Sequence, residues 1–449
     1  MQNDNLDISV IVPTYNRAAK LPSVLEAWKD TSERTSCTYE LVFSDDGSED
    51  DTVSILKSCT SLPIKVIEND HGGASSARNN AIKYASGDRI IFVGDDIYPD
   101  PHFIQKHFTY GQEYGDSVAI LGEVEWHPDQ RRSYLLEHIT EVGNEQFSFN
   151  RLKPDSFTDF RHFYTCNISL SRKMLDSVKT KFDERFYKVN FEDTELSYRL
   201  CANGMKIIYK PDTFGYHYHE YTTEGFCKRQ STAGEMSVVF QNLHPELDSI
   251  LGISKVCESF EKFRSGRSGE EESNKIVSIP DVVDVCNGLE YKLQESLDAG
   301  YELYIKRVLS ILYERLFRLK YYEGILRTRF PDDIDIIEKF LSARHIDGSL
   351  RDALLAEYYS GMDLNSSFVM HLFNTMILRK HPVDPVFHAT MKEILNEIYD
   401  NGIDDSNVYR ANRQLIISRV KAELKKYYLL RQLKYRYDSL RRSLFLRSH

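Results

Sequence analysis

Several short clusters in the first half of the chain carry residue types that can act on a charged substrate. Gly94-Asp95-Asp96 follows the apolar run at 89–93, so two adjacent carboxylates leave a strand end together. A magnesium or manganese ion can bridge such a pair to two phosphate oxygens. Without a cation or donor groups, like charges would face each other at close range, which raises one pKa or destabilises the fold. His217 and His219 alternate with tyrosines in FGYHYHEY, so on a strand both imidazoles project from one face and can join a metal site. Two partly exposed strand histidines are the plainer alternative.

Glu192-Asp193 opens NFEDTELSYRLCANG, where Leu196 and Leu200 define the inward face of a short helix ending at Gly204. At a helix's first turn the dipole stabilises a carboxylate as the anion, which suits a base awaiting a hydroxyl. Ordinary capping by acidic residues gives the same pattern. Asp45 and Asp46 end another apolar run before Gly47, where a carboxylate can accept from a base imide or ribose hydroxyls, although Asp-Gly-Ser is also common turn chemistry. His71-Gly72-Gly73 leads into a helix with Arg78 one turn in, an arrangement suited to a diphosphate or, equally, to a solvated arginine.

These clusters need a scaffold that gathers strand ends. Residues 8–13, 40–44, 63–67 and 89–93 are short β-branched runs bounded by turn residues and read as buried strands. Helical patterns lie between them at about 18–30, 50–59 and 75–86, giving a β-α-β-α-β-α-β order and a largely parallel sheet. In the third helix Ala74, Ala77, Ala81 and Ala85 make a small-residue face for the sheet, with Arg78 and Asn79 off it. Ligands on such sheets sit beyond the carboxyl ends of the strands, where PTYNR, SDDGSED, ENDHGG and GDDIYPD all fall.

A chain of 449 residues with 41% apolar and 12% aromatic residues can bury a large core in two or more units. Its formal charge of −11, from 57 basic and 68 acidic residues, argues against an extended nucleic-acid surface. The seven cysteines are scattered without a C-x-x-C pair and read as reduced thiols. The polar N-terminus lacks a signal-peptide pattern and no long apolar run follows, so a cytoplasmic protein is expected, either soluble or peripheral at the inner face of the membrane.

In this order the motifs resemble the inverting glycosyltransferases of family 2, which implies the α/β GT-A nucleotide-sugar transferase fold, a Rossmann-like mixed sheet with flanking helices, followed here by a mainly α-helical C-terminal region. The resemblance runs through SVIVPTYNR, SDDGSEDDT, GGASSARNNAIKYASGD, FVGDDIYPDP, YTCNISLSR, KFDERF, FEDTELSYRL and FGYHYH, covering residues 8 to about 235. It implies that Pro13, Tyr15 and Arg17 border the nucleotide, that Asp45 meets the base and that Arg78 lies near the diphosphate. Asp96, with Asp95, would hold Mn2+ or Mg2+, joined by His217 or His219. Gly94 stands where the family's aspartate motif is often acidic, which leaves the number of metal ligands open. Asp193 would be the general base on the acceptor hydroxyl, with Glu192 holding the acceptor or positioning the base, and Asn167 would lie near the donor sugar or acceptor. The expected donor is a UDP- or dTDP-linked sugar and the acceptor a glycan, a lipid-linked sugar or a protein. The rival reading is a sugar-nucleotide-binding scaffold without turnover.

The expected division is a catalytic domain at 1–244 and a helical domain at 245–449, with a linker-like break at 265–273. The last segment, 419–449, carries ten Lys or Arg against two acidic residues, with interleaved leucines and aromatics. It suits a basic amphipathic helix on an anionic membrane surface, or a helix packed on the chain's own core or a second subunit.

Overall fold

The computed structural model describes residues 6–266, 279–294 and 299–343. The segment 419–449, and the linker-like break from residue 267 onward, lie outside the described residues. The chain divides into two compact units, Met1–Glu271 with Leu316–Leu341, and Glu272–Arg315 with Ser342–His449.

The first unit is built on one nine-stranded sheet. Its strands are β1 (Leu6–Thr14), β2 (Tyr39–Asp45), β3 (Ile64–Glu68), β4 (Gly87–Val93), β5 (Ile97–Pro99), β6 (Val118–Trp126), β7 (Phe157–Thr158), β8 (Asn167–Ser171) and β9 (Lys206–His217). The order across the sheet is β3-β2-β1-β4-β8-β6-β9-β5, with β7 on β9. The four strands expected from the sequence form the parallel half, β3-β2-β1-β4. Beyond β4 the sheet is mixed: β8 runs antiparallel to β4 and β6, and β9 runs parallel to β6. The parallel order read from the first strands therefore holds for that half, and the whole is the mixed sheet with flanking helices that the GT-A resemblance implies.

Period-two alternation along β1 divides its side chains between two cores. Ile8, Val10 and Val12 pack with Trp28 from the helix Leu21–Glu33 and with Phe103 from the helix Phe103–Tyr114. Ile11 goes to the opposite face with Ala81 of the helix Gly73–Tyr84 and with Leu196 and Leu200 of the helix Glu192–Ala202. The expected small-residue face is thus realised by Ala77 and Ala81, both fully buried. Burial of these apolar faces, at roughly 25 cal/mol per Å2, holds the helices that carry polar residues to the sheet's edge.

The helix Thr223–Leu243 closes the unit against the returning segment Leu316–Leu341. Added Cβ atoms on Gly234 and Gly324 would fall 2.0 Å from Tyr321 O and 1.9 Å from Ser231 O, so two glycines let these backbones touch. In the second unit, Val282, Val283, Cys286 and Leu289 of the helix Ile279–Lys292 are buried, as are Val308, Leu309 and Leu312. Tyr313 there donates its hydroxyl to Glu290 Oε1 at 2.9 Å. No helix among the described residues is long and apolar enough to cross a membrane.

Strand β1 meets β4 at Gly87, whose N–H donates to Ser9 Oγ at 2.7 Å, while Ser9 donates to Glu40 Oε1 at 2.7 Å. A Cβ on Gly87 would lie 2.3 Å from Ser9 N. Gly87→Ala is expected to cost about 3 kcal/mol, the upper end for forcing atoms into a packed interior. Urea denaturation checks this, and an unchanged midpoint would contradict so close an approach.

Candidate functional site

The carboxyl ends of β1 and β4, the end of β9 and the first turn of the helix Glu192–Ala202 open onto one cavity of about 850 Å3. Pro13, Tyr15 and Arg17 line it from the end of β1. Asp95 and Asp96 line it from the turn after β4, and Arg78 from the helix Gly73–Tyr84. Glu192 and Asp193 line it from their helix, as do His217 and His219. Two residues expected at the site, Asp45 and Asn167, are not among its lining.

Asp96 is the centre of the charged cluster. Its Oδ2 lies 3.2 Å from His217 Nε2, 3.1 Å from His219 Nδ1 and 3.5 Å from an Arg17 terminal nitrogen. Arg17 Nε donates to Asp95 Oδ1 at 3.0 Å. His217 ends β9 and stacks on Trp126, whereas His219 lies two residues past the strand and stands against Tyr221. Burial pushes Asp96 up, but His217, His219 and Arg17 outweigh it and hold this carboxyl well below its ordinary range. Burial, and then the neighbouring Asp96, pushes Asp95 up to about 6 against the pull of Arg17.

One ligand atom from each of Asp96, His217 and His219 lies within 4.8 Å of the others, a set that can hold a metal ion. One carboxylate oxygen with two imidazole nitrogens fits a divalent transition ion better than magnesium, which prefers an all-oxygen octahedron. His217 Nδ1 is buried without a hydrogen-bond partner, so the ring's only polar engagement is toward Asp96.

The second charged pair is buried more deeply. Arg78 donates to Glu192 Oε1 at 3.0 Å, its guanidinium lies over the Phe182 ring, and both ionic side chains are at most 10% exposed. Arg78, for which the sequence left a diphosphate contact and a solvated side chain as equal readings and the resemblance implied the former, is an interior arginine that the helix buries against a partner 114 residues away. Glu192 Oε2 also accepts from Asn190 N at 2.8 Å. Asp193 beside it accepts from Thr194 N at 2.7 Å. Burial first, and then Glu192, push Asp193 up to about 6, with Arg78 opposing. The residues leading into this turn, Asn190 and Phe191, both have positive φ, at 145° and 67°.

Asp45 is corrected in favour of its neighbour. Its Oδ2 is occupied by its own turn, accepting from Gly47 N at 3.2 Å and Ser48 N at 3.0 Å, and it is 3% exposed. Asp46 lines the cavity instead, accepting from Gly72 N at 2.8 Å and lying 3.0 Å from His71 Nδ1. Asn167 is corrected as a substrate contact: it is fully buried, and its amide bonds only to protein groups. His71, from the glycine-rich entry read in the sequence, lines the cavity too, and so do residues that the sequence reading passed over, among them Tyr187, Tyr221, Arg229 and Tyr321. Among the described residues Arg229 is half-buried with no ion pair or hydrogen bond, and its charge acts on the Tyr221 phenol. An unpaired half-buried arginine was the signal available, but only the folded helix reveals it.

A parallel α/β half with an acidic and histidine cluster beyond its strand ends places that cluster where sheets of this kind bind their ligands. Residues 9–178 match the family model "Glycosyl transferase family 2", and the chain carries a domain of that family. It is similar to the chondroitin synthase of Pasteurella multocida (strain Pm70), with 29% identity over 231 residues, 45% of this chain and 24% of that protein. It is also similar to validoxylamine A glucosyltransferase of Streptomyces hygroscopicus subsp. jinggangensis, with 30% identity over 243 residues, 48% of this chain and 57% of that one. The matches thus span about a quarter and just over half of those relatives. Among solved structures, S. aureus TarS 1-349 in complex with UDP aligns with a TM-score of 0.38 and 17% identity, covering 80% of this chain and 93% of that one.

Removing one member of a buried pair leaves the other charge uncompensated, at a cost of about 3 kcal/mol or more. Glu192→Ala is expected to lower stability by that amount, and Arg78→Met added to Glu192→Gln to recover most of it. A double-mutant cycle by thermal or urea unfolding measures the coupling.

Proposed function

We propose that the chain is a metal-dependent inverting glycosyltransferase that moves a sugar from a UDP- or dTDP-linked donor to an acceptor hydroxyl, in cell-surface polysaccharide or glycan synthesis. The observation that carries this reading is the pairing, in one cavity, of the Asp96-His217-His219 cluster with Asp193, a carboxyl whose surroundings bring it near neutrality. The family domain and relatives named as sugar-polymer synthases and a glucosyltransferase support it.

In this reading the acceptor oxygen attacks the anomeric carbon from the face opposite the nucleotide. The bond to the diphosphate oxygen breaks, and the hydroxyl proton passes to Asp193. Glu192 holds the Asn190 amide and Arg78, and so fixes the turn from which Asp193 works. Asp96, His217 and His219, with Asp95 beside them, would hold Mn2+, which supplies positive charge to the departing diphosphate. Arg229 is the arginine disposed to meet that charge, since Arg78 is engaged by Glu192 and Arg17 by Asp95 and Asp96. Tyr15, which lies against His71 at 4.8 Å between ring centroids and is 42% exposed, offers an aromatic surface to the nucleoside, next to Pro13. Residues 1–244 form the catalytic domain in this reading, and 245–449 an acceptor, oligomer or membrane-surface region.

Calorimetric titration with UDP-sugars and dTDP-sugars, with and without Mn2+, tests the donor site. Donor binding is expected to require Mn2+ and Asp96 and to survive Asp193→Asn, which should cut turnover by about 100-fold or more. A chain that binds no nucleotide sugar sinks the proposal.

The pH dependence follows from the raised carboxyl. A base must be deprotonated to accept a proton, and Asp193 titrates at about 6, so turnover should be full above that pH and fall as pH drops through it. A rate at saturating donor that stays flat from pH 8 to about 5 would remove Asp193 from the role.

A further inference from the structure

Asn167 has a complete set of partners inside the sheet, and what it holds is the course of β9. Its Nδ2 donates to Glu123 O at 2.9 Å and to Thr213 O at 2.8 Å. Those two carbonyls flank the point where β6 and β9 lose register. Gly122 pairs with Lys210, but Glu123 pairs with Phe214, so Pro211, Asp212 and Thr213 form a bulge with no counterpart on β6. Continuing the first register would bring Phe214 opposite Trp126, whereas the bulge puts His217 there, and His217 stacks on that ring at 5.1 Å. The bulge thus decides which side chain stands beside Asp96.

The amide is itself held from behind. Because carbonyls only accept, the orientation of the Asn167 amide is fixed, and its Oδ1 must accept from His107 Nε2 at 2.9 Å. His107 Nδ1 then accepts from Ser169 Oγ at 2.9 Å, and Ser169 Oγ accepts from Arg89 at 3.4 Å. Every bond in this chain points the same way, toward the bulge, and such runs reinforce one another in a dry interior. Burial drives the His107 ring down to about 3, which keeps it the neutral tautomer that this chain requires. Space is equally committed: a Cβ on Gly122 would fall 2.0 Å from Thr213 O and 2.3 Å from Asn167 Nδ2. On the outer side Tyr110 holds Asp212 Oδ2 at 2.8 Å, and Lys106 donates to the Asp212 carbonyl.

We infer that Asn167, backed by His107, is a positioning residue for the metal cluster: it closes the β9 bulge and thereby places His217 against Asp96. The inference rests on the reading of Asp96, His217 and His219 as metal ligands.

The test uses the full chain and Mn2+ alone, with bound ion followed by loss of the free-ion EPR signal, alongside melting temperature. Asn167→Ser should weaken Mn2+ binding by about tenfold or more, the usual scale for losing a residue that orients a ligand. His107→Gln, whose amide can still donate to Asn167, should bind nearly as wild type does. Phe260→Ala, whose ring packs on Phe330 and Phe340 and is not in the cavity lining, should lower the melting temperature without weakening Mn2+ binding. If Asn167→Ser folds and binds Mn2+ like wild type, or if Phe260→Ala loses binding equally, the inference fails. Should Asn167→Ser not fold, His107→Ala takes its place with the same expectation. If wild type takes up no Mn2+, the metal reading falls. The placement is then read from Trp126, the only tryptophan left in a Trp28→Phe background. Its emission should change with Asn167→Ser if His217 leaves its ring, and an unchanged emission overturns the placement as well.

Discussion

Two adjacent carboxylates at the wall of the cavity repel each other, and the charged groups around them are arranged against that repulsion. Asp95 and Asp96 are 7% exposed and half-buried, respectively, and the fixed cation that reaches both is Arg17. With the imidazoles neutral, the cluster therefore carries about one net negative charge. In the proposed reading a divalent ion held by Asp96, His217 and His219 would offset that negative charge.

The strand order brings these groups together. Arg17 leaves the end of β1, which pairs with β4, and Asp95 and Asp96 leave the end of β4. His217 arrives from the other side, because β9 pairs with β5 immediately after the aspartates, with His217 opposite Ile97. A fully parallel sheet could not do this, since a strand running beside β4 in the same sense would bring its own carboxyl end but not the β5-β9 ribbon that folds back over it. The antiparallel half is what lets residues more than a hundred positions apart share one oxygen of Asp96.

The acidic and histidine cluster was legible because a charged pair after an apolar run, and histidines alternating with tyrosines, each have a local physical meaning. Asp45 against Asp46 was not, since one residue of phase at a strand end decides which carboxylate turns into its own loop and which faces the cavity. Arg78 was read as lying off the packing face, yet its partner Glu192 is distant in sequence and no local pattern announces it. Asn167 failed for the same reason: what fixes it is His107, 60 residues earlier, and a bulge whose Pro211-Asp212-Thr213 reads locally as a plain turn. Arg229 and Tyr321 belong to helices whose periodicity reports only packing, and they reach the cavity through the glycine contact between those helices.

That contact also bears on how the proposed base is held. Non-glycine residues at positive φ cost of order 1 to 3 kcal/mol each, and Asn190 and Phe191 supply two in succession before Glu192. The helix Thr223–Leu243 holds this turn in place. Phe240 packs on the Phe191 ring at 5.7 Å, and Glu235 accepts from both Lys188, at 2.6 Å, and the Tyr187 hydroxyl. The same helix carries Arg229 and begins just after Tyr221, which stands against His219. One rigid element therefore braces the strained turn of Asp193 and presents the unpaired arginine on the metal side. Its packing on Leu316–Leu341 is close enough to require glycine on both partners, so displacing it would disturb the turn before Asp193 and the placement of Arg229 together.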